Sequence, residues 1–180
     1  MIKNKKDLEL YLSEDRKALG EKSSKPSLIG NDVYKFQIAL RMKEYYTNCK
    51  NHDIRRKFWN FYFYKLSIRL GFDIPINVFG PGLNIHHYGC IVINPNAKIG
   101  RNCNIQQGVT IGMNHSIECA EIGDNVFIGT GAKIIGKVKI ANGCIIGANA
   151  VVVKDFIEEN SIIAGVPARV IGFRNGENDK

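Results

Sequence analysis

The sequence predicts a mainly β chain, a parallel β-solenoid preceded by a small α-helical region. Three observations predict it. Isoleucine returns every six residues, as Ile93, Ile99, Ile105 and Ile111, then as Ile122, Ile128, Ile134, Ile140 and Ile146, with Val152 closing the second run. Four places after these aliphatics stand small or branched residues: Ala97, Cys103, Val109, Val126, Ala132, Val138, Cys144 and Ala150. At Asp73 the composition turns from basic and helix-forming to Gly, Asn, Pro and β-branched residues. A period of six matches neither an α-helix nor a continuous strand. It matches a short strand followed by a corner. Three such units close one coil of a triangular prism, about eighteen residues around. The aliphatic fills a corner of the prism, and the smaller residue four places on also points inward.

The helical region comes first, residues 1–72. Residues 5–19 read as a helix and 20–27 (GEKSSKPS) as a linker. Residues 30–48 read as a second helix with Asn31 or Asp32 as N-cap. Residues 52–70 read as a third, stopped by Gly71. Its aromatics Phe58, Trp59, Phe61, Tyr62, Phe63 and Tyr64 run round most of the helix. That implies contact on more than one side, against the prism end, a neighbouring subunit or a bilayer. Packing is favoured over peripheral membrane contact. All of the net charge of +8 lies here: residues 1–72 carry 16 Lys and Arg against 8 Asp and Glu, and residues 73–180 carry 9 against 9.

The repeat domain follows, residues 73–157. Gly100, Gly112, Gly123, Gly129 and Gly147 directly follow an aliphatic, where the expectation is a turn at φ > 0. Ile111 and Ile122 are eleven apart, so MNHSIECAE must leave the prism as a loop and return in register. His87 falls on the track 87, 93, 99, a slot otherwise held by Ile, where an imidazole needs a partner or a task. A C-terminal tail, 158–180, ends the chain in polar residues.

Other classes are set aside. No apolar stretch is long enough to span a bilayer, and MIKNKKDLEL has no signal-peptide core. Five cysteines with no CxxC pair point to a reducing, cytoplasmic setting without a metal site. Cys103, Cys144 and Cys90 read as packing residues. Adjacent His86 and His87, expected on opposite faces of a strand, with one loop His115, make a poor three-histidine metal set. No nucleic-acid motif is present.

Residues 73–113, with Asp73-Ile74, His87, Cys90-Ile91-Val92 and Gln107-Gly108-Val109-Thr110-Ile111-Gly112, resemble the start of the serine acetyltransferase repeat domain. Residues 122–136 (IGDNVFIGTGAKIIG), 145–152 and AGVPARVIG at 164–172 extend the likeness. The chain thus resembles the hexapeptide-repeat acyltransferases in a compact form, with a shorter helical part. The resemblance implies a left-handed parallel β-helix and an acetyl-CoA-dependent O-acetyltransferase, assembled as a homotrimer with sites between subunits. It implies that His87 is the general base and that Asp73 orients it. A hydroxyl is a weak nucleophile near neutral pH, and such a base is worth about 10²–10⁴-fold. It places coenzyme A at Gly112, Thr130 and Ala148, with Ala164 to Arg169 toward the nucleotide, and makes Lys133, Lys154, Arg169 and Arg174 phosphate contacts. The acceptor end departs from the family pattern. His86 stands where the family has Asp, Glu118-Cys119 where it has Arg-His, and His115 is the nearest replacement for the lost histidine. The acceptor is therefore serine or, in the alternative, a sugar hydroxyl of a capsular or other cell-surface polysaccharide precursor.

Overall fold

The structure, a computed structural model, describes residues 1–50, 54–114 and 117–174. Three helices lead: α1 (Lys5–Ala18), α2 (Asp32–Cys49) and α3 (Ile54–Leu70). Fourteen short strands follow: β1 (Phe72–Asp73), β2 (Asn84–Ile85), β3 (Ile91–Ile93), β4 (Lys98–Ile99), β5 (Asn104–Ile105), β6 (Thr110–Gly112) and β7 (Glu121–Ile122) in the first half. Then come β8 (Phe127–Ile128), β9 (Lys133–Ile135), β10 (Lys139–Ile140), β11 (Ile145–Ile146), β12 (Val151–Val152), β13 (Ser161–Gly165) and β14 (Ala168–Phe173).

The strands stack in parallel into three faces of a solenoid. The first face runs β1-β3-β6-β9-β12, the second β4-β7-β10, and the third β2-β5-β8-β11-β13. β14 turns back antiparallel on β13 and covers that end of the third face. Inside lie the repeated aliphatics and the small residues four places on, all buried in one core cluster with Cys103 and Cys144. Stability is a sum over neighbouring coils, since each buries its apolar row on the next.

Two sequence readings are corrected here. The glycines after the aliphatics are not at positive φ. The left-handed positions are instead Asn102, Asn125 and Asn149 with Gly108, Gly131 and Gly143, three places after an aliphatic. What Gly100, Gly123 and Gly129 answer is closeness. A Cβ on Gly100 would lie 2.7 Å from the carbonyl carbon of Gly123, and one on Gly129 2.8 Å from the amide nitrogen of Ala148. Second, His87 does not hold an inward slot. Ile85 does, pairing with Ile105 twenty positions on, where Ile128 and Ile146 pair at eighteen. The first coil is two residues longer than a regular one. The surplus falls between Ile85 and Ile93, and Ile91 and Ile93 are both buried.

The helices close the other end. Phe36 on α2 meets Phe63 on α3 and Phe72 on β1 at centroid distances of 5.3 and 4.9 Å. α1 starts at Asn4, whose side chain accepts from the Asp7 amide. α2 starts after Asn31, which sits at φ 51 and makes no side-chain cap bond. α3 stops at Gly71, φ 74. A buried ion cluster ties helices to solenoid. Arg41 on α2 donates to Asp15 on α1 at 2.7 Å and to the Phe79 and Gly80 carbonyls at 3.0 and 2.7 Å. Asp15 also accepts the Gly82 and Leu83 amides at 2.8 and 2.9 Å.

Candidate active site

The residues expected to act fall on two edges of the prism. Consider first the edge where the chain leaves the third face for the first. In the first coil it carries His86, His87 and Tyr88, all exposed and outside any strand. The two imidazoles are not on opposite sides of a strand, as the sequence suggested. Their centroids are 6.1 Å apart, tilted by 39°. In later coils the same edge carries Gln106-Gln107-Gly108, Gly129-Thr130-Gly131 and Gly147-Ala148-Asn149. It is stitched by Gly108 N to Cys90 O, Gly131 N to Gln107 O and Asn149 N to Thr130 O at 2.7, 2.9 and 2.8 Å. Thr130 and Ala148 are exposed there, Thr130 between Gly129 and Gly131, neither of which can carry a Cβ without meeting the next coil, and Ala148 after Gly147. Ala164 continues the column and pairs with Arg169 on β14.

Asp73 stands on the first face, just past this edge. It is the outward residue of β1, between buried Phe72 and Ile74, and pairs with Val92. Its strand leaves Gly71, whose carbonyl accepts from Ile91 N and whose α-carbon sits against Gly89 and Cys90. Asp73 follows Gly71 by two residues and His87 precedes Gly89 by two, so they lie on opposite sides of that backbone contact. Among the described residues they share no hydrogen bond.

The second edge, from the first face to the second, holds Glu118 and Cys119 of the acceptor end together with Gly112 and Lys154, which were read as coenzyme A contacts. Gly112 ends β6, and the excursion follows; His115 lies outside the described residues. Glu118 pairs with Lys137 at 2.8 Å, both about half exposed. Cys119 is buried, and burial raises its thiol pKa. It lines the floor of a groove of about 500 Å³ with Pro95, Asn96, Ile117, Glu118 and Lys137. Lys154 also stands at this edge, 5.6 Å above the Phe156 ring.

Within one chain, then, His86, His87, Thr130, Ala148, Ala164 and Arg169 share one edge, with Asp73 on the adjoining first face. Gly112, Glu118, Cys119 and Lys154 share another, a full face away. Lys133, read as a phosphate contact, donates to the Gly108 carbonyl and is held against the first face. Cys90, read as packing, is exposed.

Sequence reasoning assigned no role to three residues that the geometry picks out. Tyr88 projects beside the histidines. Gln107 lies under Gly89 with a buried Oε1 that has no hydrogen-bond partner. Lys137 neutralises Glu118. The exposed aromatic at Tyr88 was the one readable signal. His86 and Tyr88 also border a groove of about 410 Å³ with Glu21, Asn31, Asp32 and Tyr34. A further concavity of about 590 Å³, on the second face around Val78, Gly100 and Lys139, holds none of the expected residues. No group of three or more His, Cys, Asp or Glu among the described residues is placed to hold a metal.

Comparison with known proteins supports the repeat reading. Residues 119–154 match the bacterial transferase hexapeptide (six repeats) family model. The serine acetyltransferase of Mycobacterium tuberculosis is 40% identical over 109 residues, 58% of this chain and 47% of that protein. That of Staphylococcus aureus strain Mu50 is 38% identical over 104 residues, 54% of this chain and 48% of that one. The chain spans about half the length of these relatives. Among solved structures, Brucella abortus strain S19 serine acetyltransferase in complex with coenzyme A superposes with a TM-score of 0.74 at 26% identity, covering 95% of this chain and 70% of that one. Soybean serine acetyltransferase complexed with serine gives 0.75 at 27%, covering 92% and 70%. The fold is the left-handed parallel β-helix with an α-helical N-terminal region.

Proposed function

We propose that this hexapeptide-repeat chain is an acetyl-CoA-dependent O-acetyltransferase of the serine acetyltransferase kind, with His87 as general base. One observation carries the reading. An exposed histidine stands on the prism edge whose later coils offer small exposed residues, in a fold whose solved neighbours include a complex with coenzyme A. The pantetheine arm lies along Thr130 and Ala148, where nothing larger stands in its way, and Arg169 meets the nucleotide phosphates at the β13–β14 end. His87 takes the proton of the acceptor hydroxyl as oxygen attacks the thioester carbonyl. Collapse of the tetrahedral adduct expels the coenzyme A thiolate, which the imidazolium protonates. Asp73 fixes the His87 tautomer and stabilises its charge. The separation of the two edges favours a homotrimer in which the Gly112–Glu118 edge of one protomer faces the His87 edge of the next. Five free cysteines and the lack of any helix, among the described residues, long and apolar enough to cross a membrane suit a reducing, cytoplasmic setting.

Serine is the first acceptor to test. The carboxylate of Glu118 is paired with Lys137 and Cys119 is buried, so neither Glu118 nor Cys119 offers a serine carboxylate a cation. Release of free coenzyme A from acetyl-CoA is followed with serine, homoserine and nucleotide-sugar acceptors. Turnover with serine supports the reading. Turnover with a sugar alone moves the acceptor to the polysaccharide class and keeps the chemistry. No release above the buffer rate with any hydroxyl acceptor removes the proposal.

A further inference from the structure

α3 packs only one side of itself. Phe63, Leu66 and Leu70 are buried against α2 and the first coil, with Trp59 and Tyr62 partly covered. The opposite side leaves Ile54, Phe58, Phe61, Tyr64 and Ile68 more than half exposed. At 100° per residue Ile54, Phe58, Phe61 and Ile68 fall in one stripe along the helix, at spacings of four, three and seven. Lys65 stands within that stripe, Arg69 and Arg55 flank it on one side, and Lys57 and Tyr64 on the other. α3 has no acidic residue in its sequence IRRKFWNFYFYKLSIRL. Arg69 meets Asp32 at 2.9 Å yet keeps more than two-thirds of its side chain in solvent. The chain's whole excess of positive charge lies in residues 1–72, and the solenoid is neutral.

We infer that the outer face of α3 docks on an anionic phospholipid surface, with the aromatic stripe at the headgroup boundary and the flanking cations on lipid phosphates. Charge decides between occupants. A second copy of α3 laid on this face would bring Lys57 and Lys65 against their own kind, with no carboxylate on α3 to meet them. An anionic bilayer meets both the apolar stripe and its basic rim. The inference goes beyond acetyl transfer and does not rest on it.

The test uses the full chain. Its single tryptophan, Trp59, lies on the packed side of α3 with its ring 5.3 Å from that of Phe58, so its emission senses the outer face through Phe58 and flotation reads binding directly. Binding is read by that emission and by flotation with phosphatidylcholine vesicles, with and without phosphatidylglycerol, at low and high salt. Expected are binding and a blue shift with phosphatidylglycerol only, weakened by salt. Lys57→Glu and Lys65→Glu should each lower the partition coefficient at least about fivefold, and Phe58→Ser with Phe61→Ser should abolish binding. All four positions are exposed, so circular dichroism should not change. No binding to anionic vesicles, or binding indifferent to these variants, overturns the inference. So does a fall in oligomer mass by light scattering in Phe58→Ser with Phe61→Ser, which makes the face a contact between copies.

Discussion

At the scale of single residues, the exposed edge histidine and the buried thiols make opposite predictions. His87 touches nothing that the fold needs, so His87→Ala should leave thermal unfolding unchanged. In the proposed reaction it should cost the 10²–10⁴-fold that a general base supplies, read as coenzyme A release. Activity within a few fold of wild type would dismiss His87 as the base. The thiols test burial. Cys103 lies wholly inside the prism, where desolvation pushes its pKa up to about 12. A thiol in that state holds no thiolate at neutral pH and cannot be alkylated. Iodoacetamide on the native chain should therefore label exposed Cys90 and spare Cys103 and Cys144, as peptide mass mapping will read. Early labelling of Cys103 would mean that the coils open far more readily than their packing implies.

At the scale of elements, what could be read from the sequence depended on how regular the element is. Each inward Ile has a partner one coil away, so repetition itself announced the strands, and the structure buries every one of the ten aliphatics. The first coil was misread because two six-residue tracks pass through it. Phe79, Ile85 and Ile91 form one, and His87, Ile93 and Ile99 form the other; only packing shows that the chain slips from the first to the second at the histidine corner. The buried cluster of Arg41 with Asp15 and with Glu44, whose carboxylate accepts from Arg41 at 3.4 Å, was hidden for another reason. Its members are scattered through α1 and α2, and a charged residue in a helix reads as solvated surface. Its consequence is sharp. Arg41→Met leaves Asp15 and Glu44 buried without their cation, and such losses cost about 3–5 kcal/mol. Denaturant unfolding should show that loss, against under 1 kcal/mol for an exposed control such as Lys98→Met, whose pair with Glu121 lies in solvent.

At the scale of the whole molecule, the two edges bear on the proposed assembly. The His87 edge and the Gly112–Glu118 edge are separated by the first face, and a cyclic assembly that presents one to the other would join them once per interface. That arrangement predicts complementation. Gly112→Trp should fold, because a Cβ there meets only the Ile135 side chain at 3.6 Å, and it should block the edge it occupies. His87→Ala disables the other edge. Each variant alone should be inactive. Unfolded together and refolded as a mixture, they should recover activity, since random assembly in equal amounts leaves about a quarter of the interfaces with an intact His87 facing an intact Gly112. Sites built within one chain would recover nothing, because every chain in the mixture carries one lesion. Coenzyme A release from the refolded mixture therefore separates a site between protomers from one within them.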